Sequence, residues 1–263
     1  EGVRRQVEGQ IRHLGSDMIT VRAGRTKPTS GAGFIKDINN GTGSGTAVLG
    51  EKDYATVKAS VGVEQAVPFS VVNALPKTDT RELPGGFVVG TTAGVPDLLN
   101  QKVRFGEYFG VDELNKRIAV IGQRVAEDLF GENVPIGKSL YLRGERFIVS
   151  GIFEQFESSP LSPGPDYNKA IFIPLNAAKQ INDGQLQIFQ ILVKPNQPAQ
   201  TETVARNIKA NLLIEHGNQE DFSVVKQEEN LAAANAILNL LTGLIAGVAA
   251  ISLVVGGIGI MNI

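Results

Sequence analysis

SLYLRGERFIVSGIF, residues 139–153, holds two runs rich in β-branched and aromatic residues, Ser139–Leu142 and Arg146–Phe153, parted by Arg143-Gly144-Glu145. Such runs on either side of a short glycine-bearing segment read as the two strands of a hairpin, because glycine supplies the backbone angles a tight turn needs. Upstream, Ile118–Gly122 (IAVIG) reads as another strand and Gln123–Phe130 as one or two helical turns, with Gly131, Pro135 and Gly137 punctuating the connection that follows. Downstream, Ser158–Asp166 carries three prolines and is a loop, and Ala170–Ile173 (AIFI) is a strand ended by Pro174. Residues 101–184 are therefore mostly β and read as a small barrel or sandwich.

Helix and strand alternate on both sides of this unit. Before it come a strand at Met18–Val21, a helix at 51–60 with Tyr54, Val57 and Val61 on one face, strands at Val67–Ala74 and Phe87–Gly90, and a short helix at Pro96–Asn100. After it come a strand at Leu186–Val193, a helix at Thr201–Leu213 with Val204, Ile208 and Leu212 four apart, and a strand at Phe222–Lys226. The two flanks, 16–100 and 185–227, have similar order, so they are expected to pack as one subdomain with 101–184 inserted. The expected class is α+β: one compact unit made from both flanks with a β-rich part inserted, followed by one long helix that enters the membrane.

The ends of the chain differ from its body. Residues 1–15 place Val3, Val7, Ile11 and Leu14 on one stripe of a stalk helix that Gly15 stops. At the other end, Leu231–Ile263 contains no charged side chain. The 21 positions Leu240–Ile260 rise roughly 31 Å as a helix, the thickness of a bilayer's hydrocarbon core. Residues 228–263 are thus read as stalk and truncated transmembrane helix. Gly243 and Gly247 form a GxxxG pair, Ser252 and Gly256 a second small-xxx-small pair, and Gly257 follows. Small residues at these spacings let helix backbones approach closely in lipid, so these five are the expected helix-packing residues. The chain begins at Glu1 rather than Met, and Glu1–Gly15 lacks a signal-peptide core, so export is expected to need an upstream segment.

Composition removes several kinds of chemistry. Cysteine is absent, which excludes a disulfide framework, a thiolate metal site and a cysteine nucleophile. The 25 basic and 27 acidic residues nearly balance, which gives no footprint for nucleic acid. The two histidines, His13 and His216, have no acidic pair at ligand spacing and read as solvent-exposed. The acidic pairs Asp112-Glu113, Glu127-Asp128 and Glu228-Glu229 are adjacent, so each points two ways. Ser158, Ser159 and Ser162 have no nearby base. Gly41-Thr42-Gly43-Ser44-Gly45-Thr46 lacks the Gly-Lys-Ser/Thr ending of a phosphate-binding loop and reads as a surface loop. Asn40-Gly41-Thr42 is a formal glycosylation triplet of a kind common by chance. Gly85, Gly86 and Gly90 are assigned to turns at strand ends. No catalytic, metal or cofactor site assembles, so the chain itself is not expected to be an enzyme.

Several stretches together resemble one family. Ile251–Ile263 (ISLVVGGIGIMNI) is similar to the second transmembrane helix of MacB-type ABC transporter permeases, within the FtsX-like permease group. Leu14–Gly24 (LGSDMITVRAG), Gly62–Pro68 (GVEQAVP), Gly90-Thr91-Thr92, Arg104–Glu107 and Ala170–Leu175 (AIFIPL) resemble further landmarks. The densest match is AVIGQRVAEDLFGENVPIGKSLYLRGERFIVSGIFE, which ends at Glu154. The resemblance implies an extracytoplasmic domain between two transmembrane helices, a split βαβ subdomain with an inserted small β-rich subdomain followed by a long stalk and transmembrane helix, residues 1 to about 235 lying outside the cell membrane. It implies a second permease copy as homodimer partner, a cytoplasmic ATPase domain or subunit that binds the ATP, and an adaptor protein as a further partner. No cofactor is implied for this segment. The function implied is coupling of cytoplasmic ATP hydrolysis to export or extraction of a substrate by mechanotransmission, the substrate being a macrolide-like drug, peptide, toxin or lipoprotein. Residues 1–15 and 227–240 would form a two-helix stalk. A membrane-anchored binding module that recruits a partner without transport is the alternative, and an extracytoplasmic enzyme stands third.

Overall fold

The computed structural model describes residues 17–24, 49–156, 165–227, 242–244, 246–249 and 251–252. Within them lie strands β1 (Ile19–Ala23), β2 (Val63–Val72), β3 (Phe87–Thr91), β4 (Val103–Gly106), β5 (Ile118–Ile121), β6 (Ser139–Leu142), β7 (Glu145–Phe153), β8 (Ala170–Pro174), β9 (Ile188–Pro195) and β10 (Phe222–Lys226). The main helices are α1 (Glu51–Lys58), α2 (Val95–Leu98), α3 (Gln123–Val125, continued by a wider π turn at Ala126–Phe130), α4 (Leu175–Ile181) and α5 (Thr201–Glu215). The fold is α+β, with one ten-stranded sheet in the order β10-β1-β9-β2-β3-β8-β5-β7-β4 and β6 paired to β7.

The order of this sheet corrects the expected barrel or sandwich at 101–184. β7 pairs parallel with β5 along one edge and divides its other edge between two partners. β6 takes the first part (Leu142↔Glu145 to Ser139↔Ile148) and β4 the last (Gly106↔Gly151 to Val103↔Phe153). A strand used this way widens the sheet sideways and does not close it on itself. The middle strands extend the same sheet, joined to the flanking ones where β3 runs parallel to β8, from Phe87↔Ala170 to Thr91↔Pro174.

The hairpin read at 139–153 is present. Arg143 and Gly144 both have positive φ, 52° and 85°, the twist-matched form of a two-residue hairpin turn. Val61 departs from expectation: it lies beyond α1 and is 78% exposed, whereas Val57 is fully buried. β4 and α4 have no counterpart in the sequence reading, β4 because it spans only four residues. α4 starts directly after Pro174, which opens the helix as well as ending the strand, and it buries Leu175, Ala177, Ala178 and Ile181. Gly90 is not a turn residue. It lies inside β3, where an added Cβ would come within 2.2 Å of the Ala178 Cβ, so its missing side chain is what lets α4 lie on the sheet.

Three apolar clusters hold the sheet. One joins Ile19, Val21, Ile191, Val193 and Phe222 to Val57 of α1 and Val204, Ile208 and Leu212 of α5. A second is aromatic, built around Phe69, Phe109, Phe153 and Phe172. The third spans the β3–β8 junction: Val72, Leu83 and Val88 share it with Ile121, Leu129, Phe147 and Ile171. Each fully buried aliphatic or aromatic side chain of this size contributes about 1.5–3 kcal/mol.

Candidate functional site

The feature that relates this domain to the rest of its chain is where its two ends leave it. β1 and β10 pair antiparallel from Ile19↔Lys226 to Ala23↔Phe222. The Gln227 N–H donates to the Met18 carbonyl at 2.9 Å, so Met18 and Gln227 lie side by side at one end of the sheet. β1 is held on its other edge by β9, from Ile19↔Val193 to Arg22↔Gln190, while β10 is the outermost strand.

α5 fastens this strand pair at both ends. At the end where the chain leaves, the Thr201 hydroxyl shares its proton between the carbonyls of Pro198 (2.8 Å) and Asp17 (3.4 Å), and Lys226 pairs with Glu202. In between, Val204, Ile208 and Leu212 lie fully buried against Ile19, Val21 and Phe222.

At the far end the structure corrects the reading of His216 as solvent-exposed. Its side chain is 15% exposed and sits between two carboxylates, with Nε2 at 2.9 Å from Asp53 Oδ1 and Nδ1 at 2.6 Å from Asp221 Oδ1. Its ring meets Phe222 edge to face at 5.3 Å. Asp53 is buried, and its other oxygen accepts the Gly50 N–H at 2.7 Å, which also caps α1. Burial works against the imidazolium, but the hydrogen bond and charge of Asp53 and the charge of Asp221 outweigh it and raise the His216 pKa above its ordinary value. The position at the C-terminus of α5 also favours a cation. The carboxylates approach opposite ring nitrogens, so they cannot converge on one metal ion. Among the described residues no group of three or more His, Asp or Glu is placed to hold a metal.

Other charged residues pair with one another. Arg143 donates to Asn182 Oδ1 and Asp183 Oδ2 at 3.2 and 3.0 Å, and Arg117 pairs with Glu145 in the same shallow depression. The expected helix-packing residues are not brought against anything described. Gly243, Gly247 and Ser252 lie in exposed helical turns, with open space where a Cβ would project from either glycine. The Ser252 hydroxyl donates to the Val248 carbonyl of its own helix at 2.9 Å. Gly256, Gly257, residues 1–15, the Gly-rich loop at 29–46 and most of the Leu240–Ile260 span lie outside the described residues. Among the described residues no helix is long and apolar enough to cross a membrane.

Residues 1–211 match the profile of the MacB-like periplasmic core domain, and the chain belongs to that family. It is 28% identical over 265 residues to the macrolide export ATP-binding/permease protein MacB of Marinobacter nauticus, covering all of this chain and 39% of that protein. It is 30% identical over 270 residues to the pyoverdine export ATP-binding/permease protein PvdT of Pseudomonas savastanoi pv. phaseolicola, covering all of this chain and 38% of that protein. The chain thus spans about two-fifths of the length of these curated relatives. Among solved structures, the periplasmic region of MacB from Actinobacillus actinomycetemcomitans superposes with a TM-score of 0.69 at 16% identity, covering 88% of this chain and 98% of that one. The extracellular domain of the ABC-type transporter YknZ from Gram-positive bacteria gives 0.59 at 20% identity, covering 79% and 99%. At these identities the structural likenesses speak for the fold.

Proposed function

We propose that this chain is the extracytoplasmic domain, with its stalk and part of a transmembrane helix, of an ABC transporter permease in the cell membrane. In this reading it works as a homodimer and couples ATP hydrolysis on a cytoplasmic ATPase domain or subunit to export or extraction of a substrate, with an adaptor protein as a further partner. Residues 16–100 and 185–227 form the mount on the stalk, and 101–184 the arm it carries. Residues 1 to about 235 lie outside the membrane, and Gly243, Gly247, Ser252, Gly256 and Gly257 pack one membrane helix against another.

The observation that carries the reading is the Gln227–Met18 hydrogen bond at the root of the β1–β10 pair. Two stalk segments leaving side by side can turn or lift the whole sheet when they move together. Pulled apart, they would load the β1–β10 hydrogen bonds one at a time from that end. Motion of the stalk as a unit is therefore transmitted, whereas separation of its strands is dissipated in peeling β10.

A flexible Gly/Ser linker inserted at Glu229 in the full transporter tests this. It is expected to leave ATP hydrolysis running while export falls. Unchanged export with the linker in place would refute mechanotransmission through the stalk.

A further inference from the structure

Between the tip of the β6–β7 hairpin and the end of α4 lies a depression of about 240 Å³, lined by Arg117, Arg143, Glu145, Gln180, Ile181 and Asp183. Backbone hydrogen bonds fix its walls. The Arg117 carbonyl accepts the Ile148 N–H at 3.0 Å, and the Gly184 N–H donates to the Lys179 carbonyl at 2.9 Å, closing the turn that carries Asp183. The charged side chains form two pairs, Arg143 with Asp183 at 3.0 Å and Arg117 with Glu145. All four are between 38% and 83% exposed, so their polar atoms are open to a ligand. Ile181 is the one apolar residue of the lining.

Arg143 sits where a two-residue hairpin turn ordinarily takes Asn, Asp or Gly. Its φ of 52° is a left-handed backbone that an arginine adopts only at a cost. The turn alone does not account for this residue, since Asn would make the same hairpin with less strain. What arginine adds is a guanidinium, held at the depression by Asn182 Oδ1 at 3.2 Å as well as by Asp183 Oδ2. Asp183 is also left-handed, with φ 57°, so both members of this pair are presented by tight turns.

The chemistry of the lining defines the ligand. Two guanidinium groups and two carboxylates balance, and five of the six lining residues are polar, so neither net charge nor apolar area draws a ligand in. Each pair sets guanidinium donors beside carboxylate acceptors. Neighbouring hydroxyls of a polyol match that order, because each can accept from the guanidinium and donate to the carboxylate without parting the pair. An ion would have to break it. We infer that this depression binds a single neutral sugar ring, its vicinal hydroxyls on the Arg143–Asp183 and Arg117–Glu145 pairs and on Gln180, and its C–H face on Ile181. The volume is below the roughly 300–1,000 Å³ of drug-sized pockets, which suits one ring. The site is independent of the transport reading and would stand in a domain that exports nothing.

The test follows the Gln180 side-chain amide and the Gly144 backbone amide by NMR, in the whole chain in phosphocholine micelles, which carry no sugar headgroup. The probe is methyl β-D-glucopyranoside. Tetrahydropyran, the same ring without hydroxyls, and the zwitterion glycylglycine are the controls. The glucoside is expected to shift both resonances saturably, and tetrahydropyran to leave them unmoved. Arg143→Asn, which suits the turn, is expected to weaken binding about tenfold while the β6 and β7 amides keep their positions. Asp183→Asn, which suits its left-handed backbone, is expected to weaken it about threefold to tenfold. No saturable shift, or an equal response to tetrahydropyran, overturns the inference. So does a stronger response to glycylglycine than to the glucoside, because the depression then reads charge, and so does undiminished binding in both variants.

Discussion

The two halves of the sheet are held by opposite means. On the β7 side, one pairing is local: β6 and β7 join through the two-residue turn Arg143-Gly144. On the β1 side, Ile19 faces Val193 on one edge and Lys226 on the other, so this half exists only once the chain has returned from its far end. Long closures of this kind cost entropy before any contact repays them. What repays them here is the cluster in which Val204, Ile208 and Leu212 of α5 cover Ile19 and Val21 of β1 and Phe222 of β10 together with Val57, Ile191 and Val193. The β1 side is thus closed by non-local pairing and helix packing, whereas the β7 side has a local hairpin.

The sharpest way to break this contrast is to hollow out each half separately. Ile208→Ala is expected to cost about 2–5 kcal/mol by denaturant unfolding, with hydrogen exchange accelerating first in β10 and β1. Leu129→Ala, under the π turn beside β5, is expected to cost a similar amount but to leave β10 protected until global unfolding. If both variants loosen the same amides, the core that Val72 and Val88 share with Ile121 and Ile171 makes the sheet one cooperative unit, and the contrast fails.

The junction between the halves offers a smaller effect. Gly90→Ala sets a methyl group 2.2 Å from the Ala178 Cβ, so α4 must lift from β3, at a cost of about 1–3 kcal/mol. Ala178→Gly in the same chain is expected to recover part of that loss, read as a coupling in a double-mutant cycle. Strict additivity of the two changes would mean that the contact is relieved by backbone movement elsewhere.

The same contrast explains how much could be read from sequence. The hairpin at 139–153 was legible because its strands and turn are contiguous and Gly144 marks the corner. The helix Thr201–Leu213 was legible from the spacing of Val204, Ile208 and Leu212, and the structure extends it only to Glu215. The barrel expected at 101–184 was misread because the alternation of apolar residues shows that a strand has a buried face, not which strand lies beside it. His216 was misread for a related reason. Asp53 and Asp221 reach it from α1 and from the start of β10, and no local pattern joins positions so far apart. The signals that existed were weak: Asp53 three residues after Gly50, in a position to cap a helix, and His216 beside Gly217 at a helix end. The pairing of β1 with β10 left no local signal, since it rests on register between Ile19 and Lys226 and not on composition.

The smallest expected effect lies at the far end of α5 and has a sign that can be worked out in advance. The His216 pKa is raised in the folded protein, so between its unfolded value near 6.5 and the higher folded value the native state holds a proton that the unfolded chain releases. The stabilisation from the Asp53–His216–Asp221 contact is thus fully present below pH 6.5 and is lost as pH rises through the folded pKa. The other charged groups near the contact, the Lys52–Glu215 pair at 3.7 Å and the Lys209–Glu220 pair at 2.5 Å, are exposed and contribute little to this dependence. His216→Gln keeps a donor for Asp53 but cannot be charged. The native protein is therefore expected to lose thermal stability as pH rises from about 6.5 through the raised folded pKa, while the variant stays flat over that range. Hydrogen exchange should place the loss at Phe222 and Ser223, because β10 is the outermost strand and His216 holds its far end. Equal pH profiles for the two proteins would mean that Asp53 holds neutral His216 as firmly as the imidazolium, leaving this end of β10 held by apolar packing.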